Sequence, residues 1–122
     1  MPWWPLTLLC LAALALAGCG ERATVERVRD GRAEITLDDF MIEPQTLRAE
    51  AGRITFNVRN EGRIGHNFRV RGEHNREWVQ ITTRLPGETG SQTVRLPPGD
   101  YRTFCSVANH EELGMWGTLV VR

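Results

Sequence analysis

The stretch that most constrains this chain lies near its C-terminus, YRTFCSVANHEELGMWGTLVV, residues 101–121. Two strand-like runs flank a short loop that carries Cys105, His110 and Met115. Taken singly, each residue has a plain structural role. Cys105 reads as a small core residue, and Met115 as core filler. Together they place a thiolate, an imidazole and a thioether in one loop, donors that suit a soft or borderline metal. Such a set needs a second imidazole. His66, in GRIGHNFRV, is the best candidate, although a lone His there would ordinarily be a strand-end residue bonded to backbone. The four side chains would then form a His₂Cys plane with a long, weak thioether bond on its axis, a donor set that suits copper.

The rest of the chain from residue 33 has the texture of short strands. Ile35 and Leu37, then Ile54, Phe56 and Val58, then Phe68 and Val70, alternate with polar residues. Further runs cover 78–81, 93–96, 101–105 and 118–121. Turn residues punctuate them at Asn60-Glu61-Gly62, Pro86-Gly87 and Pro97-Pro98-Gly99-Asp100. Period-two runs broken by Gly, Pro and Asn predict an all-β Greek-key sandwich of seven to eight strands. No segment of it has a sustained helical period, although 111–113 suit one helical turn within the loop.

These motifs resemble those of the cupredoxins, the small blue-copper electron-transfer family. The matching features are Cys105-x4-His110-x4-Met115, His66-Asn67-Phe68, and the closing run Gly117-Thr118-Leu119-Val120-Val121. The phrases at 39–44 and 51–56 also fit, so the likeness covers residues 33–122. It implies a single copper ion cycling between Cu(II) and Cu(I), held by His66, Cys105, His110 and Met115. It also implies that Asn67 ties the His66 segment to the loop around Cys105 and Ser106. The Gly65 carbonyl is a candidate distant axial neighbour. Electrons would enter by the edge of His110, ringed by Leu113, Met115 and Trp116. Glu111 and Glu112 beside it would steer a cationic redox partner such as a cytochrome.

The N-terminus reads as a leader. Residues 6–17 are almost all apolar, the length of a signal-peptide core and too short to span a bilayer. The run ends in Leu16-Ala17-Gly18-Cys19, which resembles a bacterial lipobox, cut before Cys19 with lipid added to its thiol. The organisation expected is a signal peptide at 1–18, a lipidated tether at 19–32 and a copper-binding domain at 33–122. The polar, charged 20–32 stretch suits a tether, with a short strand around 24–28 as the alternative. The domain would face the periplasm or the outside, held to the membrane by its lipid. Of the three cysteines, Cys10 lies in the leader and Cys19 ends it, which leaves Cys105 without a disulfide partner.

Charge narrows the function further. Fifteen basic and fifteen acidic residues balance to zero, which argues against a nucleic-acid binder. Every basic residue is Arg, and there is no Lys. No paired carboxylates, Ser/His/Asp set or phosphate-cradling Gly loop points to an enzyme. Three His cannot build a trinuclear copper cluster beside this site, and a binuclear centre would need two loop cysteines. The expected function is therefore one-electron transfer by a monomer between a redox donor and a redox acceptor. The competing readings are a copper-delivery or storage lipoprotein and a metal-free interaction module. Cys105 argues against delivery, which commonly favours thioethers and imidazoles without a buried thiolate. His74 lies in a charged run without a partner motif and reads as surface.

Overall fold

Alternation decides which face of each strand turns inward. In β5 (Gly52–Asn60) the side chains of Ile54, Phe56, Val58 and Asn60 are buried while their neighbours are not. The same rule buries Ala33, Ile35 and Leu37 of β2 (Arg32–Asp38), and Leu119 and Val121 of β10 (Trp116–Val121). The computed structural model describes residues 1–2 and 24–122, and shows these strands closing into a two-sheet sandwich. The remaining strands are β1 (Val25–Arg27), β3 (Met41–Glu43), β4 (Thr46–Ala49), β6 (His66–Arg71), β7 (Glu77–Arg84), β8 (Thr89–Leu96) and β9 (Gly99–Phe104).

One sheet runs β1-β4-β10-β9-β6-β7 and the other β3-β2-β5-β8. Parallel pairs join β4 to both β1 and β10, and β2 to β5; every other pair is antiparallel. Phe56 of one sheet meets Phe68 of the other, with ring centroids 5.6 Å apart, and the aliphatic core packs around them. The expected all-β sandwich is what forms. Among the described residues there is no α-helix, only a 3₁₀ turn at Glu73–Asn75 that leaves His74 exposed, as expected.

One expectation needs correction: there are ten strands among the described residues rather than seven or eight, because β1, β3 and β4 are three or four residues long. Of the two readings of 20–32, the short strand around 24–28 is the one that forms. β1 pairs in parallel with β4, the Val28 N–H donates to the Arg48 carbonyl at 2.8 Å, and Val28 packs on the core. The segment between Cys19 and 32 is thus partly a sheet edge and not wholly a tether. The leader, Cys10 and the lipidation candidate Cys19 lie outside the described residues. Among the described residues no helix is long and apolar enough to cross a membrane.

Candidate metal centre

The donors sit at strand ends. His66 is the first residue of β6, and its inward position in the alternation leaves its side chain fully buried. Cys105 directly follows β9, continues the inward-facing Tyr101 and Thr103, and is also fully buried. The chain then folds back on itself. The His110 N–H donates to the Val107 carbonyl at 3.0 Å, and the Leu113 N–H reaches the carbonyls of Asn109 and His110 at 3.1 Å. This is the expected helical turn. Gly114, at φ 106°, reverses the chain in a region that L side chains rarely adopt. Met115 closes the loop, its N–H on the His110 carbonyl at 3.0 Å and its carbonyl accepting from the Cys105 N–H at 3.2 Å.

Folding therefore brings together two chain segments that the sequence separates. His66 Nδ1 lies 3.2 Å from His110 Nδ1, and Cys105 Sγ lies 4.0 and 3.6 Å from those two nitrogens. Among the described residues, His66, Cys105 and His110 form a buried group whose donor atoms all lie within 4.8 Å of one another. A metal about 2.0 Å from each nitrogen and about 2.3 Å from sulfur would separate them in a trigonal plane by about 3.5 Å (N to N) and about 3.7 Å (N to S). The two N-to-S spacings, 3.6 and 4.0 Å, bracket that value and the 3.2 Å N-to-N spacing is slightly shorter than its own, so the three donors fit one ion. Met115 is fully buried in the core cluster that also contains Cys105. Burial, then the neighbouring His66, push the His110 pKa below the ordinary imidazole range. His110 is therefore a neutral ring with a lone pair to give.

A further set of contacts holds the donors. The Asn67 amide donates to Ser106 Oγ at 2.8 Å, and its oxygen accepts the Ser106 N–H at 2.8 Å, so β6 is tied to the residue after Cys105. Asp39, in the turn after β2, takes the other side of His66: Oδ1 lies 2.6 Å from Nε2. Its second oxygen accepts the Arg63 N–H at 2.9 Å, and that bond, with the one to His66, holds its pKa below the usual carboxylate value. An ionised carboxylate only accepts, so the hydrogen in this contact lies on Nε2, while Nδ1 faces Cys105 and His110. Phe40 sets its ring edge-on to His110 at 4.9 Å and to His66 at 6.3 Å, an apolar wall beside both imidazoles.

The comparisons agree with this geometry. The family model of the cupredoxin-like domain matches residues 7–121. This chain belongs to the cupredoxins. Auracyanin from Roseiflexus castenholzii has the same fold at 17% identity and a TM-score of 0.67, covering 84% of this chain and 99% of that one. Auracyanin A from Chloroflexus aurantiacus, a "blue" copper protein, is 21% identical with a TM-score of 0.66, covering 80% and 100%. Rusticyanin from Thiobacillus ferrooxidans is 13% identical with a TM-score of 0.66, covering 80% and 82%. Among curated protein sequences, none matches.

The residues expected at this cupredoxin's docking rim divide into two groups. Leu113 and Glu112 are exposed. Glu111 is not free: Arg71 and Arg102 both donate to its carboxylate. Trp116 is half-buried, with the Arg102 guanidinium 4.1 Å above its ring, and Arg71 lies likewise 4.3 Å above Phe104. Gly65 precedes His66 where an added Cβ would come 2.9 Å from the Thr83 methyl, so close packing alone explains a glycine there. Sequence reasoning missed Asp39, Phe40 and Asn60 as site residues. Asn60 is fully buried; its amide donates to the carbonyls of Ile64 and Arg84 at 2.8 and 2.7 Å, and its oxygen accepts the Gly62 N–H. It thereby shapes the loop that delivers His66. The turn signal Asn60-Glu61-Gly62 was legible; that it braces a ligand was not.

Proposed function

We propose that this cupredoxin carries single electrons with one copper ion that His66, Cys105 and His110 would hold, with Met115 as a weaker fourth donor. The observation that carries the proposal is the convergence of two imidazole nitrogens and one thiol sulfur in a buried pocket. Bound copper would supply a one-electron Cu(II)/Cu(I) couple. The chain's part is to keep the donors still. Strand ends fix His66 and Cys105, the hydrogen-bonded loop fixes His110, and Asn67 locks the two segments together. Donors that do not move between oxidation states keep the reorganisation on electron transfer small. The buried thiolate weighs against copper delivery, since a delivery site must release its ion.

The carrier is further proposed to be exported, with its lipid on Cys19 and its domain at the outer side of a bacterial membrane. Donor and acceptor would be redox proteins that approach the His110 end. The test is to load the purified full chain with one equivalent of Cu(II). A strong thiolate charge-transfer band toward the red, bleached by ascorbate and restored on reoxidation, is expected. Cys105→Ser should lose that band while keeping its strand circular dichroism. A folded wild-type protein that takes up no stoichiometric copper, or only a colourless Cu(II), would sink the proposal.

A further inference from the structure

We infer that Asp39 is a positioning residue that sets the donor strength of His66, and through it the balance between the two oxidation states. The inference rests on the copper-carrier reading above. His66 has two ring nitrogens with opposite surroundings. Nδ1 faces Cys105 and His110, while Nε2 faces Asp39 Oδ1 at 2.6 Å. The contact is built rather than incidental. The His66 side chain is 0% exposed and the Asp39 side chain 22% exposed, so solvent competes little for the bond. The second Asp39 oxygen is held by the Arg63 N–H, and the Asp39 N–H is held by Asp38 Oδ1 at 2.8 Å. Gly62 lies against the pair: a Cβ there would collide with Asp39 Oδ1 and come 2.9 Å from His66 Nε2. Glycine at 62 leaves the space that the carboxylate and imidazole use.

The chemistry follows from the acceptor. A carboxylate accepts a hydrogen bond from Nε2–H, which favours the tautomer with its lone pair on Nδ1. It also pushes electron density into the ring and makes Nδ1 a stronger donor. A stronger nitrogen donor stabilises Cu(II) more than Cu(I). Asp39 therefore lowers the reduction potential without touching the metal.

The full chain carrying Asp39→Asn, Asp39→Ala or Gly62→Ala is compared with wild type, both metal-free and copper-loaded. In the metal-free protein, ¹⁵N resonances of His66 should show a single Nε2–H tautomer in wild type. Asp39→Asn keeps an acceptor and should retain it; Asp39→Ala should give a mixture. On loading, Asp39→Ala should weaken Cu(II) binding about 10–100-fold with a smaller effect on Cu(I). Each tenfold difference between the two states raises the potential by about 59 mV. Asp39→Asn should raise it less, and Gly62→Ala should raise it because the carboxylate is displaced. Folding of each variant is verified by circular dichroism, and Asp39→Asn is the conservative check if Asp39→Ala fails to fold. An unchanged potential in both Asp39→Asn and Gly62→Ala, or an Nδ1–H tautomer in wild type, would overturn the inference. If wild type bound no copper, the carrier reading would fall, while the nitrogen resonances would still decide whether Asp39 sets the tautomer.

Discussion

Cys105 is bracketed by two backbone anchors: Ser106 N–H on the Asn67 side chain, and its own N–H on the Met115 carbonyl. The Asn67 amide makes both of its bonds to one residue, so removing it leaves the Ser106 N–H without its partner. Asn67→Ala should cost about 1–3 kcal/mol in denaturant unfolding, whereas Ser106→Ala, which keeps the N–H bond, should cost less than about 1.5 kcal/mol. Equal costs would mean that the backbone bond contributes nothing. At this scale the candidate donors of the loop were the most legible part of the molecule, because Cys105 and His110, which the fold brings together with His66, lie close in sequence. His66 was legible as the second imidazole at a strand start. Asp39 was not, since it meets His66 from 27 positions away and an aspartate in a turn carries no mark of its partner.

The ligand loop is latched to the outer face of its sheet. Arg71 of β6 and Arg102 of β9 sit over the rings of Phe104 and Trp116 and converge on Glu111, the residue after His110. That arrangement changes the view of docking. The charges of Arg71, Arg102, Glu111 and Glu112 are two positive and two negative, which cancel, so the pair of glutamates does not make a bare acidic patch. Partly exposed ion pairs contribute about 0–1 kcal/mol each, and less in salt. Glu111→Gln should therefore lower stability by about 1 kcal/mol in low-salt urea unfolding, with most of the difference gone at about 1 M salt. An undiminished difference would show that the latch is not electrostatic. The helical turn of this loop was readable from 111–113, but its latch was not, because Arg71 lies 40 residues upstream on another strand. β9 also offers a clean titration. Tyr101 donates its hydroxyl to the Pro97 carbonyl at 2.7 Å, and burial raises its pKa above its ordinary value. As pH rises through about 10 the unfolded chain ionises first, so this contribution is complete below about pH 10 and is lost as pH climbs through the folded value. Tyr101 is the only tyrosine and the chain has no Lys, so phenolate absorbance reports this group alone. Tyr101→Phe should lose about 0.5–1.5 kcal/mol near neutral pH and show a smaller alkaline decline.

At the scale of the whole molecule, the sandwich was legible because inward residues recur at period two, as in Ile54, Phe56 and Val58. The parallel pairings of β4 with β1 and β10 were not, since no local signal tells a strand which distant neighbour it meets. β1 was obscured in particular: its three residues, Val25, Glu26 and Arg27, are all exposed and bury no face. Most of the core that holds the sheets together supplies no donor, although Cys105 and Met115 belong to it. Leu37, Phe56, Phe68, Val79 and Leu119 are fully buried and supply no metal ligand, whereas His66 and Cys105 lie at strand ends. Stability should therefore belong mainly to the sandwich, and the metal should add to it only by mass action. Stripping copper with a chelator should leave the strand circular dichroism and a single cooperative unfolding transition. Reloading should add a ligand-dependent increment, about 4 kcal/mol when free copper is about 1,000 times its Kd. A small metallo-domain that lacks such a core behaves oppositely and unfolds when its ion is removed. If the stripped protein lost its cooperative transition, the ion would be a structural member of the fold. The strands alone would then not be the rigid frame that the proposed electron carrier requires.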